Sequence, residues 1–243
     1  MRVISWNMKN KLDNWRWLSE NHKADITLLQ EAYDHKNLNG NAVKLKVKNQ
    51  VNNYIFSTNN TLQRIEFPKQ LNQDFVCAKT PINGIDIFLL SIYGNLDWHV
   101  CKNKLCEKKR DQWLTIFSGQ LSMIITYLRK TEKAKNIIIA GDFNCERRMD
   151  DNPTSSRFAK RGERLNNLFF DLINDLGFKN CVRKFHPEPI RTHKHNKSTY
   201  PWEIDHMFCT NEIYEKLTSV EVDDSVVDEG ISDHNPIIAN FSI

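Results

Sequence analysis

Six short segments of this 243-residue chain carry the side chains best suited to chemistry, and each closes or follows an apolar, strand-like run. Asn7 ends Ser5-Trp6-Asn7, and Glu31 follows Leu28-Leu29-Gln30. Tyr93 and Asn95 follow Leu89-Leu90-Ser91-Ile92. Asp142 and Asn144 follow Ile137-Ile138-Ile139-Ala140-Gly141. Asp205 and His206 sit in Trp202-Glu203-Ile204-Asp205-His206, and Asp233 and His234 in Ser232-Asp233-His234-Asn235-Pro236-Ile237. Strand ends are rigid platforms, so groups placed there can converge on one small volume. Carboxylates, amides and a histidine together suit a hard cation and a phosphate. Singly, each is an ordinary turn residue or surface pair. The specificity lies in the ordered set.

The elements that must position these groups read as short strands bounded by polar turns. The pattern predicts them at 2–7, 26–30, 42–47, 54–57, 75–78, 85–92, 136–140, 204–209, 220–222 and 237–241. Residues 85–92 and 137–140 are almost continuously apolar, as strands covered on both faces are. Helical spacing follows Asp13, a plausible N-cap, through Trp15 and Leu18. It recurs in Trp113, Ile116, Phe117, Leu121, Ile124 and Leu128. A third stripe is Leu165, Leu168, Phe169, Leu172, Ile173 and Leu176, ended by Gly177. Both longer stripes are expected to pack in the core. Too many strands lack a following helix for a plain doubly wound sheet. The pattern fits two sheets packed face to face with helices outside, in one domain over 1–243.

Composition sets outer bounds. Hydrophobic residues are 40% and charged residues 26%, which excludes a disordered chain. No run approaches the ~20 apolar residues of a membrane span, and no secretory signal precedes the first strand. No membrane association and a cytoplasmic location are therefore expected. The six cysteines are then expected to be reduced thiols, with no zinc-ligand spacing around Cys101 and Cys106. A net charge of +4 is compatible with a polyanionic partner without demanding one.

The order Asn, Gln-Glu, Gly-Asp-Phe-Asn, Ser-Asp-His-Asn-Pro resembles the endonuclease/exonuclease/phosphatase superfamily from Asn7 to Ile237. Pancreatic deoxyribonuclease I, exonuclease III and the apurinic/apyrimidinic endonucleases share its fold. The resemblance implies a deoxyribonuclease I-like, four-layer α/β sandwich of two mixed β-sheets, and metal-dependent cleavage of a phosphoester. It implies Mg²⁺ or Mn²⁺ as cofactor and nucleic acid as partner, with DNA ahead of RNA. No protein partner is indicated.

Roles carry over by motif. Glu31 matches the metal-binding glutamate, Asp233 an aspartate near the same metal, and Asn7 the asparagine beside them. Asp142 matches the aspartate acting on the attacking water, and Asn144 the amide steadying the phosphate. His234 matches the histidine on the scissile phosphate, and Asp205 the carboxylate buttressing it. Tyr93 matches a position that hydrogen-bonds the phosphate or leaving oxygen, and Asn95 a phosphate-binding asparagine. Thr192 matches the threonine of a Thr-aromatic pair that precedes the Asp205 motif in many members, and Trp202 a position lining the abasic-sugar pocket of one subgroup; both are expected on the substrate side.

Lys9 departs from that subgroup, standing where it carries a second metal-side aspartate. Three basic clusters follow or precede these motifs: Arg147, Arg148, Arg157, Lys160, Arg161 and Arg164; Lys102, Lys104, Lys108, Lys109 and Arg110; and His186, Arg191, His193, Lys194, His195 and Lys197. They are expected to track a nucleic-acid backbone, with Arg147 and Arg148 as substrate-binding residues. The alternatives are a same-fold phosphatase or phosphodiesterase on another phosphoester, and an inactive binding module. The full charged set argues against the second.

Overall fold

The alternating strands assemble into two six-stranded mixed sheets. The computed structural model describes residues 1–34, 39–47, 50–68, 71, 75–94, 105–149, 165–194 and 200–243. The first sheet is built from β1 (Arg2–Asn7), β2 (Ile26–Ala32), β3 (Asn41–Val47), β4 (Gln50–Ser57), β11 (Leu217–Val222) and β12 (Ile237–Phe241). The second holds β5 (Gln63–Ile65), β6 (Phe75–Ile82), β7 (Ile85–Tyr93), β8 (Asn136–Asp142), β9 (Phe178–Asn180) and β10 (Asp205–Thr210). Their orders are β11-β12-β1-β2-β4-β3 and β5-β6-β7-β8-β10-β9. The pairs β1–β2 and β7–β8 are parallel, each joined through a crossover helix: α1 (Asp13–Asn21) and α2 (Leu105–Lys130).

Period-two alternation sorts the side chains into three cores. In β7, Ile87 and Leu89 enter the core between the sheets, while Phe88, Leu90 and Ile92 face α2 and α3 (Leu165–Asp175). In β1, Val3 faces the other sheet, while Ile4 and Trp6 pack with Trp15 and Leu18 of α1. Helix, sheet, sheet and helix thus form the four-layer α/β sandwich.

Ten strands lie where the alternation predicted them. β5 and β9, three residues each, are too short to show a period. Two apolar stripe positions depart from expectation. Ile116 and Leu168 are each 60% exposed, on the outward sides of α2 and α3. Helix α1 begins at Asp13 with Leu12 at the cap position, so Asp13 is a first-turn acid and not the N-cap. Cys77, Cys145, Cys181 and Cys209 are buried thiols, while Cys101 lies outside the described residues. Among the described residues, no helix is long and apolar enough to cross a membrane.

Candidate active site

Strand parity aims four of the expected groups at one place. Asn7 shares its face of β1 with Val3, and Tyr93 its face of β7 with Ile87 and Leu89. Asp142 follows Ile138 and Ala140 on β8, and Asp205 precedes Met207 and Cys209 on β10. All four therefore stand at the rim of the layer between the sheets. β8 and β10 set Asp142 directly opposite Asp205 in the antiparallel register, and Tyr93 pairs with Asp142 across β7–β8.

Backbone conformation makes two further corrections. Glu31 has the parity of Leu29, whose side chain packs on the helix side of the first sheet. A left-handed backbone (φ 44°) turns Glu31 out of that alternation and brings its carboxylate to Asn7 and Tyr93. Gly141 lies so close to β7 that a Cβ there would sit 1.9 Å from the Ile92 carbonyl oxygen. Only glycine allows Asp142 this position beside β7.

The side chains form a continuous polar chain. Tyr93 Oη donates to Glu31 Oε1 (2.7 Å), and Asn7 Nδ2 donates to the same oxygen (3.1 Å) and to Asp142 Oδ2 (3.0 Å). The Asn144 backbone N–H donates to Asp142 Oδ1 (2.9 Å), while its side-chain amide reaches the Gly94 carbonyl (2.9 Å). Asn144 takes φ 51°, a conformation asparagine tolerates better than most residues. His234 Nδ1 donates to Asp205 Oδ2 (2.9 Å), leaving Nε2 facing Asp142 Oδ2 at 3.9 Å.

Burial and charge set the protonation states. Desolvation is the largest influence on Asp142 and pushes its carboxyl up to about 7, against the opposing pull of His234 and the Asn7 amide. Desolvation also works against the His234 cation. The Asp205 and Asp142 charges and the Asp205 hydrogen bond outweigh it, raising His234 to about 10. Asp233 meets the same desolvation, but the charge of His234 and the Lys9 ammonium hold its carboxyl below the usual range. Lys9 Nζ lies 2.6 Å from Asp233 Oδ2.

Two groupings bear on a cation. The ligand atoms of Asp142, Asp205 and His234 lie within 4.8 Å of one another. An imidazolium offers no lone pair, so that trio is better matched to a hydrogen-bonded ion pair than to a metal. Glu31 fits a divalent ion better. Two donors fix its Oε1, while Oε2 has no hydrogen-bond partner among the described residues. A pre-oriented carboxylate with one open oxygen suits Mg²⁺ or Mn²⁺, which need few protein ligands.

The substrate-side expectations divide. Thr192 is fully buried, and its hydroxyl accepts the backbone N–H groups of Ile204 (3.1 Å) and Asp205 (3.0 Å). It therefore sets Asp205 in place and has no surface for a substrate. Trp202 is half-buried against Tyr200, with ring centroids 4.5 Å apart. Arg147 bonds Asp171 (2.8 Å) and lies over Phe170; Arg148 bonds Glu146 (2.8 Å) and lies over Tyr200. Both arginines are thus braced against the fold while partly exposed. Asn95, Arg157, Lys160, Arg161, Arg164, His195 and Lys197 lie outside the described residues, as do Lys102 and Lys104.

Other members of the site gave weaker sequence signals. Ser232 Oγ donates to the Asn7 carbonyl (3.0 Å) and accepts the His234 N–H (3.3 Å), tying the C-terminal motif to β1. Trp6 Nε1 donates to the His234 carbonyl (2.9 Å). The His193 ring lies 4.5 Å from that of His234. Ser232 opens the Ser-Asp-His-Asn-Pro motif but carried no assigned role, and Trp6 was signalled only by adjoining Asn7.

Two sheets presenting carboxylates, amides and a charged imidazole at adjacent strand ends define a nuclease-like phosphoesterase class. The sequence profile of the endonuclease-reverse transcriptase family matches residues 107–238, over half of the chain. The chain belongs to that family, within the endonuclease/exonuclease/phosphatase superfamily of phosphoester-hydrolysing enzymes. No curated protein matches it by sequence. Among solved structures it is similar to a Neisseria 3′ phosphatase, NExo, bound to a product DNA hairpin, with TM-score 0.74, 18% identity and 100% of both chains covered. An AP endonuclease from Archaeoglobus fulgidus gives 0.69 at 21% identity, again covering 100% of both chains. The endonuclease domain of TRAS1, a telomere-specific non-LTR retrotransposon, gives 0.67 at 18%, covering 99% of this chain and 97% of that one.

Proposed function

We propose that residues 1–243 act as one domain, a Mg²⁺- or Mn²⁺-dependent phosphodiesterase that hydrolyses nucleic acid, with DNA ahead of RNA. The observation that carries the reading is the hydrogen-bonded chain from Glu31 through Asn7 to Asp142, facing the His234–Asp205 pair. The DNA-directed activities of the similar structures support the choice of substrate.

Asp142 accepts the proton of the attacking water. Its raised pKa near 7 suits a general base at neutral pH, and Asn7 and Asn144 fix its orientation. His234, held cationic by Asp205, donates from Nε2 to a phosphate oxygen as negative charge grows there. Asn144 adds an amide to steady the phosphate, and Tyr93 holds Glu31 in line. Glu31, beside Asn7, would hold the divalent ion, with Asp233 the second carboxylate on offer, and the ion would supply charge neutralisation at the phosphate and leaving oxygen. Trp202, Arg147 and Arg148 form the outer contacts to the substrate strand.

The test is a panel of plasmid, linear duplex, single-stranded DNA, abasic duplex, RNA and a small phosphomonoester. Each is incubated with Mg²⁺, Mn²⁺ or EDTA, beside His234→Ala. Metal-dependent cutting of nucleic acid that the variant lacks is expected. Cleavage of the monoester alone would move the protein to a phosphatase, and cutting that persists in EDTA would remove the metal from the mechanism.

A further inference from the structure

The turn that joins β1 to α1 is built at a conformational cost. Lys9 (φ 49°) and Asn10 (φ 53°) are consecutive non-glycine residues in the left-handed region, where side chains crowd the backbone. The Lys11 N–H closes the turn on the Met8 carbonyl (3.2 Å), and four further hydrogen bonds hold it there. The Met8 N–H reaches the Gln30 carbonyl (2.8 Å), and the Asn10 N–H reaches the Glu31 carbonyl (2.6 Å). The Lys9 N–H donates to Asn7 Oδ1 (3.0 Å), and the Asn14 amide holds the Met8 carbonyl (2.8 Å). The backbone of Lys9 is thus anchored to both Asn7 and the end of β2. Its ammonium is delivered to Asp233, 224 residues away in sequence. Neighbouring Lys11 is directed elsewhere, to the Gly230 and Ile231 carbonyls.

The charges of the site explain what this placement does. Four carboxylates, those of Glu31, Asp142, Asp205 and Asp233, face the two cationic side chains of His234 and Lys9. With all six ionised the cluster keeps two negative charges, which one divalent ion neutralises. Each carboxylate except Glu31 already sits beside a cationic side chain: Asp205 and Asp142 beside His234, and Asp233 beside Lys9.

We infer that Lys9 is the resident cation of Asp233, competing with divalent metal for that carboxylate and confining metal binding to Glu31. The inference rests on the metal-dependent reading above and deepens it. Lys9 acts through Asp233 and the field at the site, so it is a positioning residue and not a proton carrier. Removing the charge that holds Asp233 frees a carboxylate oxygen as a ligand and lessens the repulsion a bound dication meets, so both changes strengthen its binding.

The measurement is Mn²⁺ binding without substrate, by the electron paramagnetic resonance signal of free Mn²⁺, on the full chain. Wild type is compared with Lys9→Met, Lys9→Gln, Lys9→Arg and Glu31→Gln, each checked for an unchanged circular-dichroism melt. Lys9→Met is expected to bind Mn²⁺ about tenfold more tightly or better, from removal of the competing charge. Lys9→Gln should follow it, serving as the second neutral variant should Lys9→Met fold poorly. Lys9→Arg should stay near wild type, and Glu31→Gln should lose binding. Neutral Lys9 variants within about threefold of wild type, with Glu31→Gln still defective, overturn the role of Lys9 and leave the metal reading standing. Absence of Mn²⁺ binding from wild type and all variants removes the metal reading, and this inference with it.

Discussion

Two buried histidines with carboxylates nearby, one on β10 and one bonded to it, have opposite electrostatic fates. His234 sits on the inter-sheet side, 2.9 Å from Asp205 and 3.9 Å from Asp142, and is raised to about 10. His206 follows Asp205 on β10 and so points to the opposite face, among Phe143, Phe170 and Phe208. Its neighbour Glu203 is buried too, but Arg183 takes it. The gap from His206 Nδ1 to Glu203 Oε1 is 3.9 Å, too long for a hydrogen bond. Desolvation then dominates, and His206 is lowered. Its Nε2 donates to the Cys145 carbonyl (2.9 Å) while buried Nδ1 has no hydrogen-bond partner among the described residues, as suits a neutral imidazole. Burial alone therefore makes neither an acid nor a base. What decides is whether a carboxylate is left uncommitted to an arginine and placed within bonding distance.

The comparison breaks first on activity. Asp142→Asn and His234→Ala should each lower turnover by about 10²–10⁴-fold, the range for loss of an acid–base group. His206→Phe, set among phenyl rings, should stay within a few-fold of wild type in the same cleavage assay. A His206 variant as damaged as the His234 variant would reverse the assignment.

The pH profile sharpens it. Turnover should rise as pH passes about 7, where Asp142 loses its proton, and fall as pH passes about 10, where His234 loses its own. Asp205→Asn removes the main charge supporting His234, so its alkaline limb should move down toward the ordinary histidine range. His206 should leave no mark on either limb.

Stability gives the smallest effect and a sign that is easily read. The ordinary carboxyl of Asp142 ionises at 3.8 when exposed and near 7 when folded, so the unfolded state releases the proton first. Ionised Asp142 thus costs stability above pH 3.8, with the full cost reached above about 7. Asp142→Asn should therefore melt a few degrees higher than wild type at pH 8, and the gain should vanish near pH 4. His234 works in the other direction. Its contribution is complete below 6.5 and is lost as pH rises through about 10.

Much of this site was legible in the chain. The alternation that marks β1, β7, β8 and β10 also fixes which face Asn7, Tyr93, Asp142 and Asp205 take, because side-chain direction in a strand is local. Glu31 was legible by motif but not by pattern, since its parity points it to the wrong side and a left-handed φ corrects it. Thr192 was legible as a member of the site, but its burial turns an expected substrate contact into a clip on Asp205.

By itself, then, the sequence determined the strand periodicity, the four-layer arrangement that it requires and the chemical types at each strand end. The tertiary structure alone decided the pairings: Asn7 with Asp142, 135 residues apart, Lys9 with Asp233, 224 apart, and which histidine carries a charge. Periodicity is written in neighbouring residues, whereas a protonation state depends on distance, desolvation and competing cations, and those exist only after the sheets have packed.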